Sequence, residues 1–454
     1  MSFSQNALQH RALLISIRTP QQKEHEAEES LAELARLVTT LGFDVVGSQT
    51  QRQASTKRIT VLGSGKLSEL AKLTASQAAE FDEEEEPTSD TFSTDVDDET
   101  LDELAQSELP FKTADVVVFD CDLSPSQLRN VETQLGVEVF DRTGIIIEIF
   151  SRHARTRTAR LQVEIARLKY LTPRLRESHI GTKERQMGKG AGESALELDR
   201  RRVRDQLAEL RRELISVQGQ MQGRREKRSE HFCVALVGYT NAGKSSMMRA
   251  LTGSDVLVEN KLFATLDTTV RALQPETQPR ILISDTVGFI KKLPHDLVAS
   301  FHSTLEEAHD ASLLLYVVDA SDPGFRSQLA VVNEVMQEVG VDETPKILIL
   351  NKSDNLTLQQ QGELLEQYPD SIMMSTHNPL HISALHQKIV TISEKDMQDE
   401  QILVPYTANG IVGEIRSNMK VLAEEYGADG IAITVRASTI ALERLHKLMQ
   451  QKTK

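Results

Sequence analysis

Residues 238–245 read GYTNAGKS and have the spacing of a phosphate-binding loop. Two glycines followed by a lysine and a hydroxyl residue let backbone N–H groups wrap a phosphate, while the lysine neutralises its charge. The loop follows an apolar run, FCVALVG, and precedes a helical pattern, which is the context this motif requires. The Ser245 hydroxyl is placed to ligate Mg²⁺. The backbone N–H groups of Asn241 to Ser245 are expected to wrap the phosphate. The predicted nucleotide contacts of this loop are Gly238, Tyr239, Thr240, Asn241, Ala242, Gly243, Lys244 and Ser245.

A second motif, DTVG, ends the next clear strand pattern and comprises Asp285, Thr286, Val287 and Gly288. Asp285 is suited to hold Mg²⁺ through water, and the Gly288 N–H to reach a γ-phosphate. The next residue is Phe289, where Ras-like enzymes carry the glutamine that orients the attacking water. No obvious side chain replaces it, so we expect slow intrinsic hydrolysis that needs outside help. Phe289 could equally be a core residue.

A third motif, NKSD, selects the base and comprises Asn351, Lys352, Ser353 and Asp354. A carboxylate at Asp354 can accept hydrogen bonds from both N1–H and the 2-amino group of guanine. Adenine offers neither donor, so the carboxylate would lose these hydrogen bonds with ATP. Three motifs in this order, each after a strand, predict GTP as substrate. Main-chain groups of Ser375, Thr376 and His377 are expected to back the guanine.

The segment NKLFATLDTTVR, residues 260–271, lies between the first two motifs. A threonine here should close over Mg²⁺ and the γ-phosphate, and reopen after hydrolysis. Thr265, Thr268 and Thr269 are alternatives on the sequence alone. The predicted nucleotide contacts in this segment are Phe263, Ala264, Thr265, Leu266 and Asp267.

Three histidines, His295, His302 and His309, repeat every seven residues. On a helix this spacing separates neighbours by roughly 10 Å along the axis, which is too far for one metal ion. Helical zinc ligands are spaced four residues apart. A metal site is therefore not predicted there.

The length of 454 residues suffices for about three domains of ~150 residues. No run of eighteen apolar residues could span a membrane, and the N-terminal apolar patch is too short for a signal peptide. The two cysteines, Cys121 and Cys233, are typical of a reducing compartment. We expect a cytoplasmic monomer.

The net charge of −15 is unevenly distributed. Residues 79–108 hold fourteen acidic residues and no Lys or Arg, which is typical of a solvated disordered loop. Residues 151–230 carry a net formal charge of +10. This basic stretch favours a polyanionic partner, although it could be an ordinary solvated helical face.

An α/β fold class with four segments is predicted. Residues 1–149 alternate strand and helix patterns and should form a small parallel α/β domain. Residues 150–229 carry two apolar stripes at helical spacing and should form an antiparallel hairpin with a glycine-rich loop at 187–194. Residues 230–398 should form a doubly wound nucleotide-binding sheet, and residues 399–454 a small α/β domain.

Specific strands and helices are predicted within these segments. Strands are predicted at residues 12–17, 44–47, 58–63, 115–120 and 137–141, and helices at residues 29–42 and 66–80, in the first segment. In the last segment, strands are predicted at residues 402–407 and 432–438, with a helix around residues 410–425.

The stretches GYTNAGKSS, LFATLDTT and DTVGFIKKLPHDLV resemble the HflX family of translational GTPases. The upstream stretches VLGSGKLSEL, LSPSQLRNVE and DRTGIIIEIFSRHARTRTARLQVEIARLKYLTPRL resemble it too, so the likeness covers most of the chain. The resemblance implies a GTPase whose upstream part contacts the large ribosomal subunit and its rRNA, and which splits or rescues stalled 70S ribosomes. It also implies that the large subunit stimulates hydrolysis, that GTP loading favours binding, and that Thr265 is the Mg²⁺-sensing threonine. The expected rRNA contacts are Arg152, Arg155, Arg157, Arg160, Gly188, Lys189, Gly190 and Gly192.

Several residues depart from the family pattern: Ser246 stands for threonine, Thr268 and Ala191 for proline, and Thr376 for alanine. The alternatives to ribosome splitting are large-subunit assembly, RNA-binding regulation with GTP as a switch, and ATP-driven RNA remodelling. Asp354 argues against ATP in the predicted GTP site. GSGK at residues 63–66 invites a second nucleotide site but lacks the spacing of a phosphate loop.

Overall fold

The structure is a computed structural model that describes residues 10–20, 22–53, 61–74, 114–178, 195–228, 231–254, 262–263, 268–292, 307–341, 343–395, 397–408 and 410–452. The chain forms two compact units, Met1–Ile146 and Ile147–Lys454. The acidic stretch at residues 79–108 and the glycine-rich loop lie outside the described residues. The four-segment layout stays a prediction.

The first unit alternates strands and helices. Its elements are β1 (Arg11–Arg18), α1 (Glu24–Thr40), β2 (Asp44–Arg52), α2 (Ser64–Leu73), β3 (Val116–Phe119), α3 (Pro125–Leu135) and β4 (Glu138–Asp141), followed by α4 (Arg142–His153), which continues into the second unit. The strands form a parallel sheet in the order β2-β1-β3-β4.

Local sequence explains where these helices start and stop. The Ser124 hydroxyl accepts a hydrogen bond from the Gln127 N–H, and the Gln127 side-chain oxygen accepts one from the Ser124 N–H. Helix α3 therefore begins with a capping box before Pro125. Gly136 ends the helix in the left-handed conformation that glycine adopts most easily. All four residues of β3 are buried, as expected for a strand covered on both faces.

The carboxyl edge of the first sheet holds a buried charge cluster. The Arg142 guanidinium donates hydrogen bonds to Asp120 at 2.7 Å and to Glu33. All three residues are buried. Burial alone would lower the pKa of Arg142, but the two carboxylates raise it. The opposite charges therefore stabilise one another within the core.

One predicted strand of this unit is wrong where it can be compared. The apolar run at 58–63 was expected to pair in the sheet, yet Val61 and Leu62 lie in a bend and are fully buried before α2 begins at Ser64. Residues 58–60 lie outside the described part of the chain. A short apolar run can bury itself as a helix entry as well as a strand, and periodicity does not distinguish the two.

The second unit contains the remaining elements. They are α5 (Arg157–Ser178), α6 (Ala195–Arg228), β5 (Phe232–Gly238), α7 (Lys244–Thr252), β6 (Thr269–Ala272), β7 (Ile281–Asp285), β8 (Leu313–Asp319), α8 (Phe325–Val339), β9 (Lys346–Asn351), a 3₁₀ turn (Ser353–Asn355), α9 (Leu358–Gln367), β10 (Ile372–Met373), α10 (Pro379–Glu394), β11 (Gln398–Pro405), α11 (Ile411–Asn418), β12 (Lys420–Tyr426), β13 (Gly430–Ala437) and α12 (Thr439–Lys452).

Helices α5 and α6 pack against each other. Arg157, in the first turn of α5, pairs at 2.8 Å with Glu213 in the C-terminal half of α6, as expected for an antiparallel pair. The surface of this helix pair carries exposed arginines, among them Arg157 and Arg160.

The central sheet has the strand order β10-β9-β8-β5-β7-β6, parallel except for β6, which runs antiparallel to β7 and was not predicted. One hydrophobic cluster joins residues of the sheet to α7 and α10, and another joins them to α8 and α9. Neighbouring residues Val317 and Val318 of β8 belong to different clusters, so the sheet is covered on both faces. The predicted doubly wound α/β fold is confirmed.

The C-terminal part forms an antiparallel sheet, β11-β13-β12, packed on α11 and α12. The helix expected around residues 410–425 ends at Asn418, and residues 420–426 form a strand paired with β13. Met419 is extended and buried, which breaks the helix there and begins the turn into β12. Among the helices described, none is both long and apolar enough to cross a bilayer.

Candidate nucleotide-binding site

The loop after β5 lies at the carboxyl edge of the sheet, between its two parallel neighbours β7 and β8. The strand order reverses there, and such a point is where open α/β sheets bind ligands. A Cβ on Gly238 would lie 2.1 Å from the Val317 carbonyl oxygen, and one on Gly243 would lie 2.2 Å from the Asn351 amide nitrogen. Both glycines are therefore required by close packing.

Lys244 begins α7 and folds back over the loop. Its ammonium donates hydrogen bonds to the carbonyl oxygens of Gly238 at 3.0 Å and Tyr239 at 2.8 Å. Burial lowers the pKa of Lys244 to about 8, although the negative charge of Asp285 opposes this change. A phosphate placed beside this ammonium would stabilise its charged form.

Two oxygen groups meet beside Lys244. The Ser245 hydroxyl donates a hydrogen bond to the Asp285 carboxylate at 2.8 Å, and Asp285 is fully buried. Carboxylate and hydroxyl oxygens are the ligands that Mg²⁺ prefers, so these two residues have the chemistry to hold the ion. The neighbouring Thr286 donates its hydroxyl hydrogen to the Leu236 carbonyl at 2.7 Å, which fixes the strand end.

The segment after β7 is hydrogen-bonded to the phosphate loop. The Thr240 N–H donates to the Phe289 carbonyl at 2.9 Å, and the Phe289 N–H donates to the Gly238 carbonyl at 3.2 Å. The Tyr239 hydroxyl accepts a further bond from the Lys291 N–H at 2.5 Å. Phe289 itself is buried, so of its two predicted roles the structure supports that of a core residue. Sequence analysis did not anticipate that Tyr239 contacts Lys291.

The base-recognition motif follows β9 and is braced on two sides. The Asn351 side-chain amide donates to the Ala242 carbonyl at 2.9 Å, and the Lys352 ammonium pairs with Asp319 at 2.6 Å. Lys352 has φ +60°, an uncommon conformation for a non-glycine residue. Asp319 was missed by sequence reasoning, although its place as the last residue of an apolar strand run was a usable signal.

The Asp354 carboxylate is exposed at the end of this loop. A hydrogen bond from the Ser375 side chain is the main reason that the pKa of Asp354 is lowered, and His377 and Lys352 lower it further. The Ser375 N–H donates to the His381 ring at 3.0 Å, and its hydroxyl accepts from the His377 N–H at 3.2 Å. Ser375 thus holds Asp354 as an ionised acceptor. No sequence signal pointed to His381.

Part of the predicted site cannot be placed. Ala264, Thr265, Leu266 and Asp267 lie outside the described residues, as do Gly188, Lys189, Gly190 and Gly192. Phe263 is described, has φ +57°, and packs edge-on against Phe150 of α4 with ring centroids 4.5 Å apart. Thr269 begins β6.

The four predicted arginines of the basic stretch are all exposed. Arg152 pairs with Glu148 at 3.0 Å, and Arg157 with Glu213. Arg160 donates to the Ala154 carbonyl at 3.2 Å, and Arg155 lies between α4 and α5. Within the described ranges no cluster of His, Cys, Asp or Glu could hold a metal by itself, and His309 is exposed beside Asp310.

Three family models match the chain in order along its length. They are described as GTP-binding GTPase N-terminal (residues 28–84 and 83–151), GTP-binding GTPase Middle Region (residues 153–228) and 50S ribosome-binding GTPase (residues 233–352). The chain is 51% identical over 443 residues to the GTPase HflX of Gluconacetobacter diazotrophicus, covering 96% of this chain and 97% of that one. The chain belongs to the HflX family.

A second HflX relative, from Caldanaerobacter subterraneus subsp. tengcongensis, is 34% identical and covers 97% of this chain and 94% of its own. A solved GTP-binding protein from Sulfolobus solfataricus in complex with GDP is 22% identical, with a TM-score of 0.43, covering 85% of this chain and 98% of that chain. The predicted membership of the HflX family and the predicted hydrolysis of GTP are confirmed. This HflX chain is a GTPase.

Proposed function

We propose that this HflX GTPase binds the large ribosomal subunit, dissociates or rescues stalled ribosomes, and hydrolyses GTP faster when the ribosome is bound. The observation that carries the proposal is the match of residues 233–352 to a family described as 50S ribosome-binding GTPase. The proposed site comprises the phosphate loop, the DTVG and NKSD motifs, and the segment around Thr265.

Mg²⁺ and GTP fit this site chemically. Ser245 and Asp285 would hold the ion, together with Thr265, and the ion would neutralise charge on the β- and γ-phosphate oxygens. Lys244 and the Gly288 N–H would contact the γ-phosphate, and Asp354 would read the guanine. The Ser245–Asp285 hydrogen bond already places both oxygens side by side.

The position of Phe289 supports a need for outside stimulation. Its side chain has no donor or acceptor with which to orient a water molecule, and it is 4% exposed and packed in the core. In GTPases, a residue supplied by a partner can raise the rate of hydrolysis by 10³–10⁵-fold or more. A ribosome that supplies or orders the missing group would act in the same way.

The exposed arginines of α4, α5 and the link between them support contact with rRNA. Phosphate groups attract such side chains, and each neutralised phosphate releases counterions. Residues 151–230 carry a net formal charge of +10 within a chain whose net charge is −15. This basic stretch is therefore the best candidate for the rRNA-facing surface.

The deciding experiment is GTP turnover with and without purified large ribosomal subunits. Stimulation by a factor of ten or more is expected, followed by splitting of 70S particles in sedimentation. Lys244→Ala is the matched control and should show no turnover in either condition. Turnover that is indifferent to the subunits would overturn the proposed partner.

The rRNA surface is tested with Arg155, Arg157 and Arg160 changed together to alanine. Affinity for large subunits should fall, and its dependence on salt concentration should flatten by about one unit of log–log slope for each lost phosphate contact. The control neutralises three exposed cations of the nucleotide-binding domain, Arg326, Lys346 and Lys388. Equal losses in both variants would assign the effect to net charge alone.

A further inference from the structure

Thr240, in the phosphate loop, has a buried hydroxyl whose hydrogen bonding differs from that of the neighbouring hydroxyl groups. The residue is 7% exposed, and its Oγ1 has no hydrogen-bond partner among the described residues. Leaving a buried hydroxyl unpaired costs about 1–3 kcal/mol. Native proteins rarely leave such a group unpaired, and a catalytic role or a bound water or ion is among the explanations for the exceptions.

Three other hydroxyl groups around the loop take part in hydrogen bonds within the protein. Tyr239 accepts from Lys291, Ser245 donates to Asp285, and Thr286 donates to the Leu236 carbonyl. Their roles are thus fixed by protein contacts. Of these four hydroxyl groups, that of Thr240 is buried and makes no hydrogen bond within the described part of the chain, so it can both donate to and accept from a ligand.

The surroundings of Thr240 indicate which part of the ligand it would meet. A Cβ built on Gly288 would lie 2.8 Å from Thr240 Cγ2, 2.9 Å from Thr240 Cα and 3.1 Å from the Lys244 ammonium nitrogen. The backbone and the methyl group of Thr240 therefore lie next to Gly288 and Lys244, the two residues that are assigned to the γ-phosphate. The Thr240 N–H is bonded to the Phe289 carbonyl, so the hydroxyl is the donor of this residue that remains for a ligand at this place.

We propose that the Thr240 hydroxyl donates a hydrogen bond to a γ-phosphoryl oxygen of GTP and is a catalytic residue of hydrolysis. In the transition state, negative charge is spread over the three equatorial γ-oxygens, so a fixed donor beside them lowers the barrier. GDP lacks this phosphoryl group. The hydroxyl accordingly discriminates GTP from GDP and supplies part of the stabilisation that the buried Phe289 cannot.

The test compares Thr240→Val, which has the same shape without the hydroxyl, with Thr240→Ser, which keeps it. Binding of a non-hydrolysable GTP analogue and of GDP is measured for both, with single-turnover hydrolysis in the absence of ribosomes. Thr240→Val should weaken analogue binding about tenfold or more, leave GDP binding within about twofold, and slow hydrolysis. Thr240→Ser should restore both.

A ratio of analogue to GDP affinity that is unchanged in Thr240→Val would overturn the proposal. So would equal weakening of both nucleotides, which would make the role structural. Should Thr240→Val fail to fold, Thr240→Ala against Thr240→Ser gives the same comparison. Because no ribosome is present, the result is independent of the proposed partner.

Discussion

Two carboxyl edges of parallel sheets in this molecule hold buried charges, and they treat them in opposite ways. In the first unit, Arg142 lies between Asp120 and Glu33, so the guanidinium meets two opposite charges directly. In the second unit, the Lys244 ammonium contacts two neutral carbonyl oxygens. The pKa of Arg142 is raised, whereas that of Lys244 is lowered to about 8.

The difference separates a structural charge cluster from a binding site. A buried charge with its partners inside the protein needs no ligand and fixes the packing around it. The Lys244 ammonium donates to two carbonyl oxygens, and the charge of Asp285 offsets its burial only in part, so a phosphate would stabilise it further. The partners of one basic residue therefore distinguish a structural role from a binding role at two similar sheet edges.

The largest expected effect is on nucleotide binding by Lys244→Ala. The variant should lose GTP affinity by a factor of about 10³ or more, since a charge-assisted contact to phosphate is removed from a buried site. Arg142→Ala should bind GTP normally wherever it remains folded. Binding of a fluorescent GTP analogue measures both, and unchanged affinity in the lysine variant would contradict the assigned site.

The second prediction tests the charge cluster of the first unit through its contribution to the free energy of unfolding. Arg142→Met leaves two carboxylates buried without their cation and should lower the free energy of unfolding of the first unit by about 3–5 kcal/mol. Removing one member of the exposed pair Lys66–Glu69 should cost less than about 1 kcal/mol. Denaturant titrations of Arg142→Met and Lys66→Ala measure the difference. Equal losses of unfolding free energy in the two variants would contradict the larger contribution predicted for the buried cluster.

The third prediction concerns the other end of the site. Asp354→Asn replaces an acceptor of two hydrogen bonds with one acceptor and one donor, so GTP affinity should fall about 10²-fold while ATP affinity changes little. Competition between GTP and ATP measures the ratio of their affinities, which should be smaller in the variant. Asp370→Asn, at another exposed carboxylate, is the control. A ratio of GTP to ATP affinity equal to that of the unsubstituted protein would contradict the role of Asp354 in base recognition.

The smallest predicted effect is a pH dependence. The nucleotide-free pKa of Lys244 is about 8, and a bound phosphate should raise it, so GTP binding above pH 8 takes up a proton. Affinity should then fall by up to tenfold per unit of pH. Calorimetry in buffers of different ionisation enthalpy measures the proton uptake, and none above pH 8 would contradict it.

The lowered pKa of Lys244 has the opposite consequence for the stability of the nucleotide-free protein, which should rise with pH. The unfolded chain keeps the Lys244 proton up to its ordinary pKa of 10.5, whereas the folded chain releases it near 8. Between these values the unfolded state binds more protons, so this residue makes the free energy of unfolding rise with pH. Lys244→Met should abolish that contribution.

The motifs of the nucleotide site and most strands could be predicted because they depend on local sequence. Gly238 and Gly243 are fixed by spacing, and the apolar runs of β5, β8 and β9 are continuous as in any sheet that is covered on both faces. The resemblance to one family supplied what local patterns could not, namely the ribosome as the expected partner.

Contacts between distant residues could not be predicted. Asp319 meets Lys352 only because β8 and β9 are neighbours, and Arg142 meets Glu33 only because α1 and the end of β4 share one edge. The helix expected around residues 410–425 failed because pairing with β13 overrode the local pattern after Asn418.

Asn351 ties the two ends of the nucleotide site together. Its amide holds the Ala242 carbonyl, and the same nitrogen closes the space beside Gly243. A substitution that altered base recognition at this residue would at once loosen the phosphate loop. Base preference can therefore evolve at Asp354 without disturbing the phosphate loop, whereas a change at Asn351 also removes the hydrogen bond to Ala242.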